Sequence, residues 1–157
     1  MVTPVIRPAT EADREALVWL EGTARAALTA QRGGDLWLER HPAQSPAWET
    51  IADGDVIVSA IDDVPVGYLR LRVETDVLYV EDVYVHPDAR EIGCGDALLA
   101  AGIEVGIDRD ATRVEAEALP GDRDTKNLYE RAAITAKRIT VSAPIGRTTE
   151  PTEPTER

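Results

Sequence analysis

Two adjacent carboxylates, Glu81 and Asp82, stand inside an otherwise apolar run, Leu78-Tyr79-Val80-Glu81-Asp82-Val83-Tyr84-Val85. Strands disfavour aspartate and, less strongly, glutamate, so the pair conflicts with its surroundings and calls for a reason. A carboxylate drawn partly out of water can accept a proton from a substrate ammonium, directly or through a water molecule. Side chains alternate along a strand, which puts Glu81 with Tyr79, Val83 and Val85, and Asp82 with Val80 and Tyr84. Both reach one pocket only if the strand bulges. An ion pair with Arg70 or Arg72 on the neighbouring strand explains the carboxylates equally well.

The same run leads through the turn His86-Pro87-Asp88 into Arg90-Glu91-Ile92-Gly93-Cys94-Gly95-Asp96-Ala97. Strand, glycine-bearing loop and helix start follow one another directly. That order builds an anion site, because the first backbone amides of a helix are unpaired and the helix dipole favours negative charge there. Arg90 adds positive charge. Glu91 opposes it unless its carboxylate faces solvent. The alternative is an ordinary strand-to-helix turn that uses glycine for positive φ.

These residues need elements to hold them. Val5-Ile6-Arg7 suits a first strand, and Thr10-x-x-Asp13 has the form of a capping box ahead of a helix from Glu11 to about Ala30. Gly33-Gly34 ends that helix, and 35–48 reads as a loop with room for a short helix. Val56–Ile61 and Val66–Val73 form a hairpin, and Leu78–His86 a third strand. Helical spacing returns from Gly95, with Gly102 and Gly106 inside the helix, which implies close packing on a sheet. Arg113–Ala118 alternates as a strand, a short helix capped by Asp122 or Asp124 runs to Ala132, and 134–145 completes the strands. The order predicts an α/β chain with a mostly antiparallel mixed sheet and helices on both faces. The Thr/Glu/Pro tail, 147–157, has no apolar anchor and reads as disordered beyond a domain of 3–146.

A chain of 157 residues is one domain long and can bury a core. Its net charge of −12 argues against a nucleic-acid partner and is compatible with a cationic substrate. No apolar run is long enough to span a membrane, no secretory signal is visible, and the single cysteine, Cys94, forms no internal disulfide. The expected home is the cytoplasm. Cys94 at a helix start reads as a small residue between glycines rather than a nucleophile. His41 and His86 have no ligand pattern around them, so no metal is expected.

Arg90-x-x-Gly93-x-Gly95, between a strand and a helix, resembles the pyrophosphate motif of the GNAT N-acetyltransferase superfamily, and Asn127-Leu128-Tyr129 resembles that family's Asn-to-Tyr helix in shortened form. The element order is similar to that of the GNAT fold from Thr3 to Ile145. The resemblance implies acetyl-coenzyme A as cosubstrate, its pyrophosphate held by amides from about Ile92 to Ala97, with Arg90 nearby. It implies main-chain pairing of the pantetheine arm along Val83, Tyr84 and Val85, and a coenzyme contact from Asn127. Tyr129 is implied as the acid that protonates the leaving thiolate, and Glu81, ahead of Asp82, as the base. Glu91 and Ile92 depart from the family's glycine and basic residue, and Ala133-Ile134 from its Gly-Phe. Trp37 and Trp48 fall in the region that borders the acceptor. The implied reaction is acetyl transfer to a primary amine, on a small molecule or a peptide, by direct attack. The alternative is an acyl-coenzyme A-binding sensor without turnover. GNAT domains often dimerise, so a homodimer is a further expectation.

Overall fold

The computed structural model describes residues 2–44, 51 and 53–146; Trp48 and the 147–157 tail lie outside the described residues. The elements are β1 (Val5–Pro8), α1 (Arg14–Leu28), α2 (Gly34–Arg40), β2 (Val56–Ile61), β3 (Val64–Glu74), β4 (Val77–Val85), α3 (Cys94–Asp108), β5 (Arg113–Ala116) and α4 (Arg123–Arg131). A 3-10 turn, Glu11–Asp13, precedes α1, and another, Pro87–Ile92, precedes α3. The strands form one sheet in the order β1-β2-β3-β4-β5, antiparallel throughout except for the parallel β4–β5 pair.

Helices cover both faces, as the element order requires. Leu17 and Leu20 of α1 are fully buried with Val56, Val58 and Tyr68 on one face. On the other, Leu98 and Leu99 of α3 pack with Leu69, Leu71, Leu78 and Val80, and α4 adds Leu128 and Tyr129. The approach of α3 is set by its glycines. A Cβ on Gly106 would lie 2.8 Å from Leu78 Cδ2, and one on Gly102 would lie 3.0 Å from Leu69 Cδ2. The helix therefore lies against the sheet at a distance only glycine permits.

The chain entry is held by charge. Arg7 donates to both oxygens of Asp13, at 2.7 and 2.9 Å, and reaches Asp63 in the β2–β3 turn at 3.2 Å. The Asp13 carboxylate also accepts the Thr10 amide at 2.8 Å, which is the carboxylate half of the expected capping box.

The expected strand over 134–145 is absent. Ala133 turns the chain away at φ +60°, Ile134 still packs on the core, and the rest of the described chain carries no strand. Ile139, Val141 and Ile145 are 82, 89 and 100% exposed. Alternation signals a strand only where a neighbouring edge and a covering face exist, and this segment meets neither. The fifth strand is also shorter than its sequence pattern. It ends at Ala116, so Glu117 and Ala118 leave the sheet instead of extending it.

Candidate active site

The early end of β5 opens the sheet. Its pairing with β4 runs from Val77↔Arg113 to Val80↔Ala116, so β4 continues from Glu81 to Val85 with no strand on that side among the described residues. His86 donates its amide to Val66 on β3, and the Val85 carbonyl accepts from Arg90 Nε at 3.0 Å on the opposite side. By strand alternation Val83 and Val85 turn their backbone groups toward the gap, while Tyr84 turns its own toward β3.

The strand bulges where the carboxylates sit. Arg70 faces Asp82 and Leu71 faces Val80, which leaves Glu81 as the extra residue. The consequence is that Glu81 and Asp82 both line one small cleft between the diverging strands, with Val83, Glu117, Asp122, Trp37 and Tyr129. The sequence made this arrangement conditional on a bulge, and the bulge is present.

The two carboxylates differ in partners. Glu81 is tied by Arg72 Nε at 2.8 Å and lies 3.8 Å from Arg70 Nε, so the expected ion pair also forms. Asp82 accepts the Tyr68 hydroxyl at 2.7 Å. Burial pushes the Asp82 carboxyl above its ordinary range; the Tyr68 hydrogen bond and Arg70 oppose that shift, and Glu21 adds to it. Glu21, buried on α1, and Tyr68 were not marked by the sequence. Glu21 follows the apolar stripe Leu17 and Leu20 in the α1 core and holds the Gln44 amide at 2.8 Å.

Tyr129 reaches the cleft from α4 and is 6% exposed. Its hydroxyl makes no hydrogen bond among the described residues. Burial, followed by the fields of Asp82, Asp122 and Glu117, pushes its pKa well up, so it stays a proton donor at every ordinary pH. Asn127 sits two residues earlier on the exposed side of the same helix.

The loop after β4 ends in Gly93, at φ +82°, which hands the chain into α3. Ala97 donates its amide to the Gly93 carbonyl at 3.1 Å, so the first-turn amides that remain belong to Cys94, Gly95 and Asp96. Glu91 and Ile92 are exposed, and Cys94 is wholly buried. Gly95 lies against Leu128, which brings α4 beside the α3 start, and Arg131 pairs with Asp96 at 2.9 Å. Arg90 braces Val85, lies over the Tyr84 ring and is 3.7 Å from Asp124. Trp37 stacks on His41, and His86 stacks on Trp19. No cluster among the described residues could hold a metal ion, and no described helix is long and apolar enough to cross a membrane.

A sheet split beside a helix N-terminus defines a class of protein. The family model described as acetyltransferase (GNAT) family matches residues 19–133, and the chain belongs to that family of acetyl-coenzyme A-dependent acetyltransferases. A mutant of the BH1408 protein from Bacillus halodurans shares 18% identity, covering 90% of this chain and 99% of its own, at a TM-score of 0.72. The PaiA N-acetyltransferase from Thermoplasma acidophilum, in complex with coenzyme A, shares 13%, covering 83% of this chain and 88% of its own, at 0.68. An aminoglycoside acetyltransferase from an uncultured soil metagenomic sample, in complex with sisomicin, shares 16%, covering 92% and 97%, at 0.64. At these identities the likeness is one of fold. No curated protein matches the chain.

Proposed function

We propose that this chain, as one domain over 3–146, moves the acetyl group of acetyl-coenzyme A to a primary amine by direct attack. One observation carries the reading. A single cleft joins the open edge of β4, a carboxylate above its ordinary pKa and the Tyr129 phenol, which makes no hydrogen bond among the described residues.

The chain's residues divide the work. Backbone groups of Val83 and Val85 supply strand-like partners for the pantetheine arm, with Tyr84 between them held under Arg90. Amides of Cys94, Gly95 and Asp96, opened by the Gly93 turn, receive the pyrophosphate, while Ile92 and Glu91 stay at the surface and Ala97 contributes through the helix dipole. Asn127 borders the same region.

Asp82 is the better-placed base, with Glu81 second, because Glu81 is already engaged by Arg72 and Arg70 while burial makes Asp82 ready to take a proton. With the ammonium deprotonated by Asp82, the amine attacks the thioester carbonyl, which an amide near Val83 polarises; the C–S bond then breaks as Tyr129 gives its proton to the sulfur, and the proton shed by the new amide nitrogen returns to Tyr129 through solvent. The net change is one amide formed and one thiol released. The sisomicin-bound aminoglycoside acetyltransferase, which shares this fold, supports a small-molecule amine as acceptor.

The test is isothermal titration of the protein with acetyl-coenzyme A beside a Gly93→Asp variant, with circular dichroism to verify folding. Micromolar binding that the carboxylate at position 93 abolishes, followed by acetyl transfer to an amine, supports the reading. A native protein that binds no acetyl-coenzyme A overturns it.

A further inference from the structure

Beyond α4 the chain keeps a strand pattern without a sheet. From Arg138 to Ala143 polar and apolar residues alternate strictly, Arg-Ile-Thr-Val-Ser-Ala, and the β-branched residues among them are those that strands favour. A strand here gathers Ile139, Val141 and Ala143 on one face. Pro144 follows, offers no amide and closes any ladder. Yet every residue from Thr135 to Gly146 is exposed, so the large aliphatic side chains Ile139 and Val141 stand in water.

The same chain ends its sheet on an open edge. β5 closes the strand order and pairs only with β4 among the described residues. The register Leu78↔Val114 and Val80↔Ala116 puts Val114 and Ala116 on the face that α3 covers, where both are only partly buried. The core on that face therefore stops half-covered at β5. A strand laid along this edge, with Ile139 and Val141 toward α3, continues it.

Charge fits the same pairing. Residues 134–146 hold Lys137 and Arg138 and no carboxylate, within a chain of net charge −12. Lys137 bonds only the Thr135 hydroxyl, and neither cation enters an ion pair among the described residues. Glu117, exposed just past the end of β5, enters none either. The chain's own β5 is not what the segment meets, because Ala133 turns the backbone away at φ +60°.

We propose that residues 138–143 add as a strand to the β5 edge of a second copy of this chain, which gives its own segment in return. Reciprocal exchange consumes both edges and both segments, so the assembly closes as a two-fold dimer. Pro144 keeps the new outer edge from recruiting a third chain. The proposal draws on neither the cleft nor its chemistry.

The experiment reads mass by light scattering on a sizing column, and amide hydrogen exchange, over a dilution series of the full chain. The expected result is the mass of two chains with slow exchange across 138–143, both lost together on dilution. Val141→Glu places a carboxylate in the new interface and should weaken association by about tenfold or more. Its side chain is 89% exposed in the single chain, so folding is not at stake, and circular dichroism verifies that. A monomer at every concentration would overturn the proposal. So would slow exchange that survives dilution to monomer, which would lay the segment on its own β5, or a dimer that Val141→Glu leaves intact. Acetyl-coenzyme A binding is titrated separately, so a monomer that still binds it sinks the exchange and leaves the transferase reading standing.

Discussion

The hydroxyl of Tyr68, a side chain with no solvent exposure, donates to Asp82 Oδ2 at 2.7 Å across the β3–β4 pair. A donor to a carboxylate favours its charged form, so this bond holds Asp82 below the level that burial alone would impose. Tyr68→Phe removes the donor and keeps the ring. The Asp82 pKa should then rise, moving the acid limb of kcat/KM to higher pH, with Arg70, Glu21, Glu81 and Tyr129 still facing the group. A pH–rate profile with an unmoved acid limb would show that Tyr68 does not tune Asp82.

Asp82→Asn should lower activity by about 10²- to 10⁴-fold, the usual range for a lost general base. Its effect on stability has the opposite sense. The folded-state pKa of Asp82 lies above the ordinary 3.8, so the native state binds more protons and loses stability as pH rises through that interval. Asparagine does not titrate. The melting temperature of the variant relative to native should therefore improve from pH 4 toward pH 8, readable by thermal scans across that series.

Asp13 follows the usual carboxylate rule. The Arg7 hydrogen bond holds its pKa below 3.8, so its contribution is fully present above that value and is lost as pH falls through the lowered folded one. Asp13→Asn should cost about 1–3 kcal/mol at pH 7 in urea unfolding, with the gap closing as pH falls below 3.8. A gap independent of pH would assign the loss to packing.

Two backbone positions give opposite signs. Ala133 holds φ +60° without being glycine, so Ala133→Gly should stabilise by about 1 kcal/mol. Gly106→Ala places a methyl 2.8 Å from Leu78 and should destabilise by about 1–3 kcal/mol, despite alanine's better helix propensity. Melting temperatures of the two variants check both.

Much of this architecture was legible in the sequence because local periodicity and glycine placement coincide with the tertiary demands on them. Gly102 and Gly106 announced the close approach of α3, and Gly93 the turn into it. Glu81-Asp82 was legible as a composition conflict that a bulged site or an ion pair with Arg70 or Arg72 would resolve, and the bulge and the ion pairs are both present. What stayed hidden depends on contacts distant in the chain. Nothing near Tyr68 distinguishes a phenol that meets Asp82 from one that only packs, and nothing near Glu117 says that β5 stops one residue earlier. The stretch 134–145 misled for the same reason, since its alternation is real and its partner edge is missing.

The gap beside Asp82 makes β4 an edge strand in the interior of a sheet. Edges present unsatisfied main-chain groups that invite other chains, and sheets usually confine that hazard to their rims. Here it lies along Val83 to Val85, between two packed faces. A bound coenzyme would shield it, so colloidal stability and function share one surface. Protein stripped of coenzyme should be the more prone to self-association, and the net charge of −12 opposes that tendency by mutual repulsion, which added salt weakens.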